Sequence, residues 1–163
     1  MTEIQQLHDN SMTTQTPDKE KMKNPKKSVT PIILVYDKEC PACDNYCQIV
    51  KIREDIGELI LLDARAREPS PIMEEITARG WDVDQGMVLK IKDQLYYGSD
   101  AIHALALISS RSGFFNRMNY WLFKSKRLSR LFYPILRSMR NLLLKALGKK
   151  KINNLQRENN NYF

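Results

Sequence analysis

Two cysteines separated by two residues form the most reactive group that this sequence contains. Cys40 and Cys43 lie in the run DKECPAC, which spans residues 37–43. A thiolate is the nucleophile of thiol–disulfide exchange, and a CxxC pair can alternate between two thiols and one disulfide. In this chemistry Cys40 attacks a substrate disulfide and Cys43 resolves the mixed disulfide that results. The spacing therefore predicts a redox site at these two positions.

Pro41 predicts that the cysteine pair stands at the start of a helix. Proline suits the first helical position because it has no N–H to leave unpaired there. We predict a helix from Pro41 to about residue 55, ended by Gly57. Cys40 would then lie at the helix N-terminus, where unpaired backbone N–H groups and the helix dipole favour a negatively charged sulfur. Pro41 would also stiffen the turn between the two thiols.

Acidic neighbours oppose this effect on the thiol pKa. Asp37, Glu39 and Asp44 should raise the pKa of a nearby thiol, whereas Lys38 alone would lower it. We therefore expect a reducing dithiol with a potential near that of thioredoxin, about −270 mV, rather than that of a strong oxidant. For Asp37 two roles are open: a proton acceptor for Cys43 during resolution, or a carboxylate that caps the helix.

A structural zinc site is an alternative explanation of the CxxC pair. Zinc sites need four ligands, commonly from two CxxC-type pairs. The further candidate ligands here are Cys47, His103 and His8. Cys47 is best explained as a small buried side chain one helical turn beyond Cys43, and His103 has no partner at ligand spacing. We predict neither a metal nor a cofactor.

The elements around the dithiol follow the order β-α-β, α, β-β-α. Continuous apolar runs predict buried strands before and after the CxxC helix, and a crossover of this kind makes the two strands parallel. The predicted elements are strands 32–36, 59–62, 87–91 and 95–97 and helices 41–55, 70–80 and 101–109. This order predicts an α/β fold with a thioredoxin-like three-layer core over residues 31–112.

Outside this core the sequence predicts a leader, a helical extension and a tail. Residues 1–30 are polar and are predicted to be a flexible leader. Over 113–151, apolar residues recur at spacings of three and four between Arg and Lys, which predicts a basic amphipathic helical extension. An aromatic stretch at 114–123 predicts a short helix within it, and Pro134 should kink or divide the longer helix. Residues 152–163 are rich in Asn and are predicted to be disordered.

Charge is distributed unevenly along the chain, whose formal net charge is +7. Residues 31–113 carry nine basic and fourteen acidic groups, whereas 114–163 carry twelve basic groups and one acidic group. Three interpretations of the basic extension are open. Its apolar stripe packs against the acidic domain, it lies on an anionic membrane surface, or it binds nucleic acid. Opposite charges favour the first, and the third is favoured least because no recognised motif accompanies the charge.

The sequence also bears on location. The N-terminal residues lack the basic start and apolar run of a secretory signal, and the longest apolar runs are far shorter than the ~20 residues that cross a bilayer. We expect a cytoplasmic protein whose cysteines rest as two thiols, with peripheral membrane contact through 114–151 as the open alternative.

The run YDKECPAC at residues 36–43 resembles the signature of the DCC family of thiol-disulfide oxidoreductases. Further segments that resemble this family are LDAR at 62–65, GMV at 86–88, YGSDAI at 97–102, YPIL at 133–136, RN at 140–141 and GK at 148–149. The resemblance covers about residues 31–151. It implies a thioredoxin-like fold and protein-disulfide reductase activity, with Cys40 and Cys43 as the redox pair and Asp37 as the family's aspartate.

One segment departs from the thioredoxins themselves, which place a cis-proline before the third strand, facing the dithiol. Residues 84–87 read DQGM in this chain. Since no proline is present there, we expect Gly86 to take that backbone position.

These observations together predict a thiol-disulfide oxidoreductase of the protein-disulfide reductase type. Its substrate would be a protein or small-molecule disulfide, and the sequence does not name its electron donor. The alternative is a non-enzymatic module, thioredoxin-like or stabilised by zinc, whose basic tail binds a partner protein or an anionic membrane. The two are distinguished by whether Cys40 and Cys43 are required for disulfide reduction.

Overall fold

The described part of the chain forms four strands and five helices, and its last three elements are helices. The computed structural model describes residues 31–54, 56–68 and 70–163. The predicted leader, residues 1–30, and with it His8, lies outside the described residues. The described elements are β1 (Pro31–Tyr36), α1 (Pro41–Ile49), β2 (Glu58–Asp63), α2 (Pro71–Ala78), β3 (Val88–Ile91), β4 (Gln94–Tyr97), α3 (Ser99–Ile108), α4 (Phe114–Phe123) and α5 (Lys126–Ala146). The predicted α/β class and the predicted order of elements are confirmed.

The four strands form one mixed sheet in the order β2-β1-β3-β4. β1 and β2 are parallel, with Tyr36 opposite Asp63 at their carboxyl ends. A parallel pair needs a crossover connection, and α1 lies within it. β3 runs antiparallel to β1 and to β4. β1 therefore lies inside the sheet, and the loop that follows it begins beside the end of β2.

Side chains of β1 alternate between two hydrophobic clusters, as the period of a strand requires. Ile32, Leu34 and Tyr36 pack in a cluster with Cys47 of α1 and with buried residues of α3. Val35 packs in a second cluster with the buried side of α2. The continuous apolar run of β1 thus reflects burial on both faces of the sheet.

α1 is shorter than the sequence predicted. It ends at Ile49 rather than near residue 55, which itself lies outside the described residues. Val50 is extended, and the Ser110 N–H donates a hydrogen bond of 2.7 Å to the Lys51 carbonyl. Pairing with the segment after α3 therefore takes the backbone groups that another helical turn would have used.

α4 and α5 pack against α3. Phe123 at the end of α4 is buried with Ile102 and Ala106 of α3. His103 of α3 also joins α4, since its Nδ1 lies 2.7 Å from the Phe123 carbonyl oxygen. The aromatic stretch therefore forms the short helix that the sequence predicted, and it lies against the domain.

One interpretation of the sequence places the contact between α5 and the domain on the apolar stripe of the helix. In the structure most of this stripe is exposed, and another side of α5 contacts the domain. The residues of α5 that are buried are Ser129 and Leu144, with Tyr133 and Arg140 half-buried. The extension therefore docks on the domain through a mixed polar surface.

Among the described residues, no helix combines the length and the apolar character needed to cross a bilayer.

Pro134 does not divide α5, which is one helix of 21 residues. The proline leaves the Arg130 carbonyl without its usual helical donor, because the donor would be the missing N–H. Both residues are exposed, so water can bind this carbonyl and the helix continues.

The segment after α5 also differs from its prediction of disorder. The Ile152 and Asn153 N–H groups both donate to the buried Asp84 carboxylate. The Asn154 side chain accepts from the Val83 N–H at 3.1 Å. Asn side chains and backbone N–H groups supply contacts that composition alone does not reveal, because the partners lie about seventy residues away in sequence.

Tyr133 of α5 packs closely against two glycines, Gly86 and Gly98. Its hydroxyl donates a hydrogen bond of 2.7 Å to the Gln85 carbonyl. A Cβ added at Gly86 would lie 2.2 Å from the Tyr133 oxygen, and one added at Gly98 would lie 3.1 Å from it. Gly98 also has a φ of 59°, which favours glycine. The tyrosine therefore requires small residues at both positions.

We predict that Gly98→Ala destabilises the protein more than Gly80→Ala. Both glycines have positive φ, but a Cβ at Gly80 would meet nothing within 4 Å. Gly80→Ala should cost about 1 kcal/mol of backbone strain. Gly98→Ala should cost about 1–3 kcal/mol more, because Tyr133 must move. Urea denaturation measures both values, and equal losses would show that Tyr133 does not pack tightly there.

Candidate active site

The dithiol lies at the N-terminus of α1, where the loop after β1 ends. Cys40 is the N-cap residue, with extended backbone, and Pro41 is the first residue of the helix. The Cys43 N–H donates to the Cys40 sulfur at 3.3 Å. The two cysteines lie 2.8 Å apart, and both are free thiols. This is the arrangement that the sequence predicted from Pro41 and the spacing of the pair.

The two thiols have opposite pKa shifts. The hydrogen bond from the Cys43 side chain is the largest cause that lowers the pKa of Cys40, to about 6. The Cys43 N–H and the positive charge of Arg140 lower it further, while burial and Asp37 oppose them. The pKa of Cys43 is raised, chiefly by its hydrogen bond to Cys40 and by burial. At neutral pH the pair therefore holds a thiolate at Cys40 and a thiol at Cys43.

The two cysteines also differ in their exposure to solvent. Cys40 has 0 % exposure, whereas Cys43 is half-buried and lines a cavity of about 390 Å³. The cavity walls are mainly apolar, and α5 contributes several of them. Apolar residues that line it are Met87, Ile102, Phe123, Leu136, Met139 and Leu143. A substrate in this cavity would thus meet Cys43 first, beside mostly apolar walls.

The Asp37 carboxylate is the electrostatic centre of the site. Its side chain is 1 % exposed and forms ion pairs with two guanidinium groups. Arg65 Nε donates to one oxygen at 2.6 Å, and an Arg140 nitrogen donates to the other at 2.9 Å. The Glu39 N–H donates to the first oxygen at 3.1 Å. The hydrogen bond to Asp37 is the main cause that raises the pKa of Arg65.

The Asp37 carboxylate belongs to a hydrogen-bond network and does not cap α1, whose N-cap residue is Cys40. Each of its oxygens already accepts hydrogen bonds from fully charged donors or from the loop backbone. Asp37 therefore holds the loop before α1 and positions Arg65 and Arg140.

Arg140 is the site residue that sequence reasoning missed. The sequence singled out Lys38 as the only cation that would lower a thiol pKa, yet Arg140 of α5 lowers the pKa of both cysteines. It lies 97 residues beyond Cys43 in sequence, so no local pattern connects it with the dithiol. The available signal was the RN pair at 140–141, which formed part of the family resemblance.

Residues 84–86 form the wall that faces α5. The Asp84 carbonyl accepts a hydrogen bond from Arg140, and Tyr133 binds the next carbonyl, that of Gln85. Gly86 is buried and lines the cavity together with Cys43. Gly86 therefore shares this cavity with the dithiol and precedes β3 in the chain. Its lack of a side chain makes room for Tyr133.

Comparison with known families decides what kind of protein carries this site. Residues 34–146 match the family described as DCC1-like thiol-disulfide oxidoreductase. The chain belongs to this family. The resemblance inferred from the sequence is thereby confirmed, and the match includes both cysteines, Asp37 and Arg140. No curated protein and no solved structure matches the sequence significantly.

The remaining candidate ligands of this DCC1-like chain lie apart from the dithiol chemistry. Cys47 is 1 % exposed in the core, and burial raises its pKa to about 12. His103 contacts the Phe123 carbonyl. In residues 31–54, 56–68 and 70–163, no group of three or more His, Cys, Asp or Glu side chains is placed to hold a metal ion. The zinc alternative therefore lacks a ligand set in this part of the chain.

In this DCC1-like protein we predict that Asp37→Asn lowers the free energy of unfolding by about 3 kcal/mol, because two partly buried guanidinium groups lose their carboxylate. Asp93→Asn is the matched control, since Asp93 is exposed in the β3–β4 turn and should change stability by less than about 0.5 kcal/mol. Chemical denaturation of both variants measures the difference. Similar values for the two would show that the ion pairs of Asp37 contribute little.

We also predict that Arg140→Gln raises the pKa of Cys40 above its value of about 6. A nearby positive charge favours the thiolate, so its removal should slow reaction with a small disulfide near pH 6–7 and have little effect well above the new pKa. The measurements are the ultraviolet absorbance of the thiolate and the rate, both against pH. Arg130→Gln is the control, as an exposed arginine of the same helix. Identical profiles for both variants would contradict the role of Arg140.

Proposed function

We propose that this protein is a dithiol–disulfide oxidoreductase of the protein-disulfide reductase type, with Cys40 as nucleophile and Cys43 as resolving thiol. The observation that carries the proposal is the position of Cys40 at a helix N-terminus, in hydrogen-bond contact with Cys43, which lowers the Cys40 pKa. Cys47, a cysteine of the apolar core, has a raised pKa instead.

We propose further that the fold is thioredoxin-like. A parallel β1–β2 pair, the antiparallel strands β3 and β4, and the order β2-β1-β3-β4 support this assignment. The position of the CxxC pair supports it too, because the pair joins the first strand to the first helix. α1 and α3 share one cluster, and α2 belongs to the other, which fits a sheet between two helical layers.

The reaction begins when the Cys40 thiolate attacks one sulfur of a substrate disulfide. A bond forms between Cys40 and that sulfur, the substrate S–S bond breaks, and the second substrate sulfur leaves as a thiolate. Cys43 then gives its proton to this leaving group and attacks the Cys40 sulfur. The bond between Cys40 and the substrate breaks, and the substrate sulfur that Cys40 attacked leaves as a thiolate that takes a proton from water. The products are a Cys40–Cys43 disulfide and two substrate thiols, so two electrons pass to the substrate. A dithiol reductant would return them.

The opposite pKa shifts of the two cysteines fit these two steps in order. The pKa of Cys43 is raised chiefly by its hydrogen bond to Cys40. Once Cys40 is part of a mixed disulfide it carries no negative charge, so the main cause of that shift is removed. Arg140, which lowers the pKa of Cys43, then favours the second thiolate.

The direction of transfer follows from how far the thiolate is stabilised. A nucleophile pKa of about 6 lies nearer to that of thioredoxin, about 7, than to that of the strong oxidant DsbA, about 3.5. A more stable thiolate makes a dithiol more oxidising, and Arg140 contributes in that direction. We therefore propose a reductase with a potential nearer to that of thioredoxin than to that of DsbA. A cytoplasmic location fits this role, since a dithiol there rests reduced.

We predict that Cys43→Ser retains a mixed disulfide with a disulfide-bonded peptide, whereas Cys40→Ser does not reduce it. The physical reason is that the first variant keeps the attacking thiolate and loses only the group that releases the substrate. Mass spectrometry of the peptide adduct and a turnover assay with a dithiol reductant measure the two results.

Cys47→Ala is the control for this experiment, because Cys47 is buried away from the cavity lining and its raised pKa keeps it a thiol. It should keep turnover near that of the unaltered protein. If Cys40→Ser, Cys43→Ser and Cys47→Ala all showed equal turnover, the dithiol would not be required for disulfide reduction. That result would support the non-enzymatic module. An adduct on Cys40→Ser instead would assign the attack to Cys43, the thiol that lines the cavity.

A further inference from the structure

α5 carries a row of exposed apolar side chains, most of which face away from the domain. They recur at spacings of three and four, so they lie on one side of the helix, and each is 37–69 % exposed. We call this row the α5 stripe; its members are Leu128, Leu131, Phe132, Ile135, Leu136, Met139 and Leu142. A contiguous exposed apolar surface of this kind marks an interaction site.

The stripe is not needed to hold α5 on the domain. Ser129, Tyr133 and Arg140 make that contact through hydrogen bonds to the Phe123, Gln85 and Asp84 carbonyls. Leu144 is fully buried on the same side. An amphipathic helix normally turns its apolar face toward the core, so the opposite orientation leaves this face for another surface.

The charges of α5 indicate which surface this is. The helix contains six Lys and Arg residues and no Asp or Glu. Two of the cations pair with carboxylates of the domain, and the other four are exposed. Arg127 precedes Leu131 by four residues and Lys145 follows Leu142 by three, which makes each basic residue a neighbour of the stripe. A helix with an apolar face bordered by cations has the composition of helices that lie in an anionic membrane interface.

α4 exposes a second surface of the same character. Phe114, Met118, Trp121 and Leu122 are exposed on it. Lys124 Nζ lies 3.8 Å from the centre of the Trp121 ring. Tryptophan and lysine together suit the level of the lipid headgroups, because the ring is amphipathic and the ammonium binds phosphate.

We propose that α5 lies on an anionic membrane surface, with the stripe in the boundary between headgroups and acyl chains. Charge complementarity selects this occupant over a second copy of the chain. A symmetric dimer would bring the same surface of both copies together and place two sets of cations side by side with no acidic partner on α5.

The stripe is continuous with the cavity of the dithiol. Leu136 and Met139 belong to the stripe and also line the cavity beside Cys43. A membrane under the stripe would therefore lie at one rim of this cavity. If the proposed function holds, the disulfides that reach the dithiol most readily are those presented at the bilayer surface.

Vesicle co-sedimentation of the full chain tests the proposal. The protein should bind vesicles of phosphatidylcholine with phosphatidylglycerol, bind phosphatidylcholine alone less, and dissociate as salt rises. Leu131→Ser with Leu142→Ser should weaken binding about tenfold or more, because both side chains would leave the acyl boundary. Ile49→Ser with Ile60→Ser is the matched control, since these exposed apolar residues lie on α1 and β2, and it should bind as the unaltered protein does.

Arg127→Gln with Lys145→Gln separates charge from apolar contact. Each cation near the surface should account for about a fivefold change in affinity for anionic vesicles, with no effect on neutral ones. Circular dichroism and disulfide reduction in solution verify that every variant folds, and they do not depend on membrane binding. The absence of vesicle binding at low salt would overturn the proposal. A dimer of the unaltered protein that Leu131→Ser with Leu142→Ser dissociates would assign the stripe to a second copy.

Discussion

The buried carboxylate of Asp37 joins three parts of the chain that are distant in sequence. Asp37 itself follows β1, Arg65 follows β2, and Arg140 belongs to α5. Removing one partner from a buried ion pair leaves an uncompensated charge that costs several kcal/mol. The loop that carries Cys40, the end of β2 and the C-terminal helix therefore depend on one another. The cation beside the dithiol reaches its position only when α5 is docked, so folding of the extension and tuning of the thiol pKa are one event.

The parts of the fold that sequence reasoning predicted are those that local rules determine. The apolar run of β1, and the prolines Pro41 and Pro71 at the first positions of α1 and α2, act within a few residues of themselves. The side chain and N–H of Cys43, which lower the pKa of Cys40, likewise lie within one helical turn of it. These signals were enough to predict the order of elements and the position of the dithiol at the start of α1.

What the sequence did not reveal depends on pairing across long separations. α1 ends early because Lys51 pairs with Ser110, and Arg140 reaches the site from a helix interpreted only as a basic extension. Periodicity identifies an apolar face on α5 without saying what that face contacts. The sequence favoured packing of this stripe on the domain. Tyr133 docks the helix instead, and its two glycine partners become identifiable only when their Cβ positions are known.

Asp84 shows how such a long-range contact limits later change in the sequence. It is fully buried, and its carboxylate accepts hydrogen bonds of 2.9 and 2.7 Å from the backbone N–H groups of Ile152 and Asn153. Every amino acid except proline carries that donor. These two hydrogen bonds therefore exclude only proline at positions 152 and 153. The acceptor has no such latitude, since a neutral amide at 84 would offer one acceptor oxygen where the carboxylate offers two.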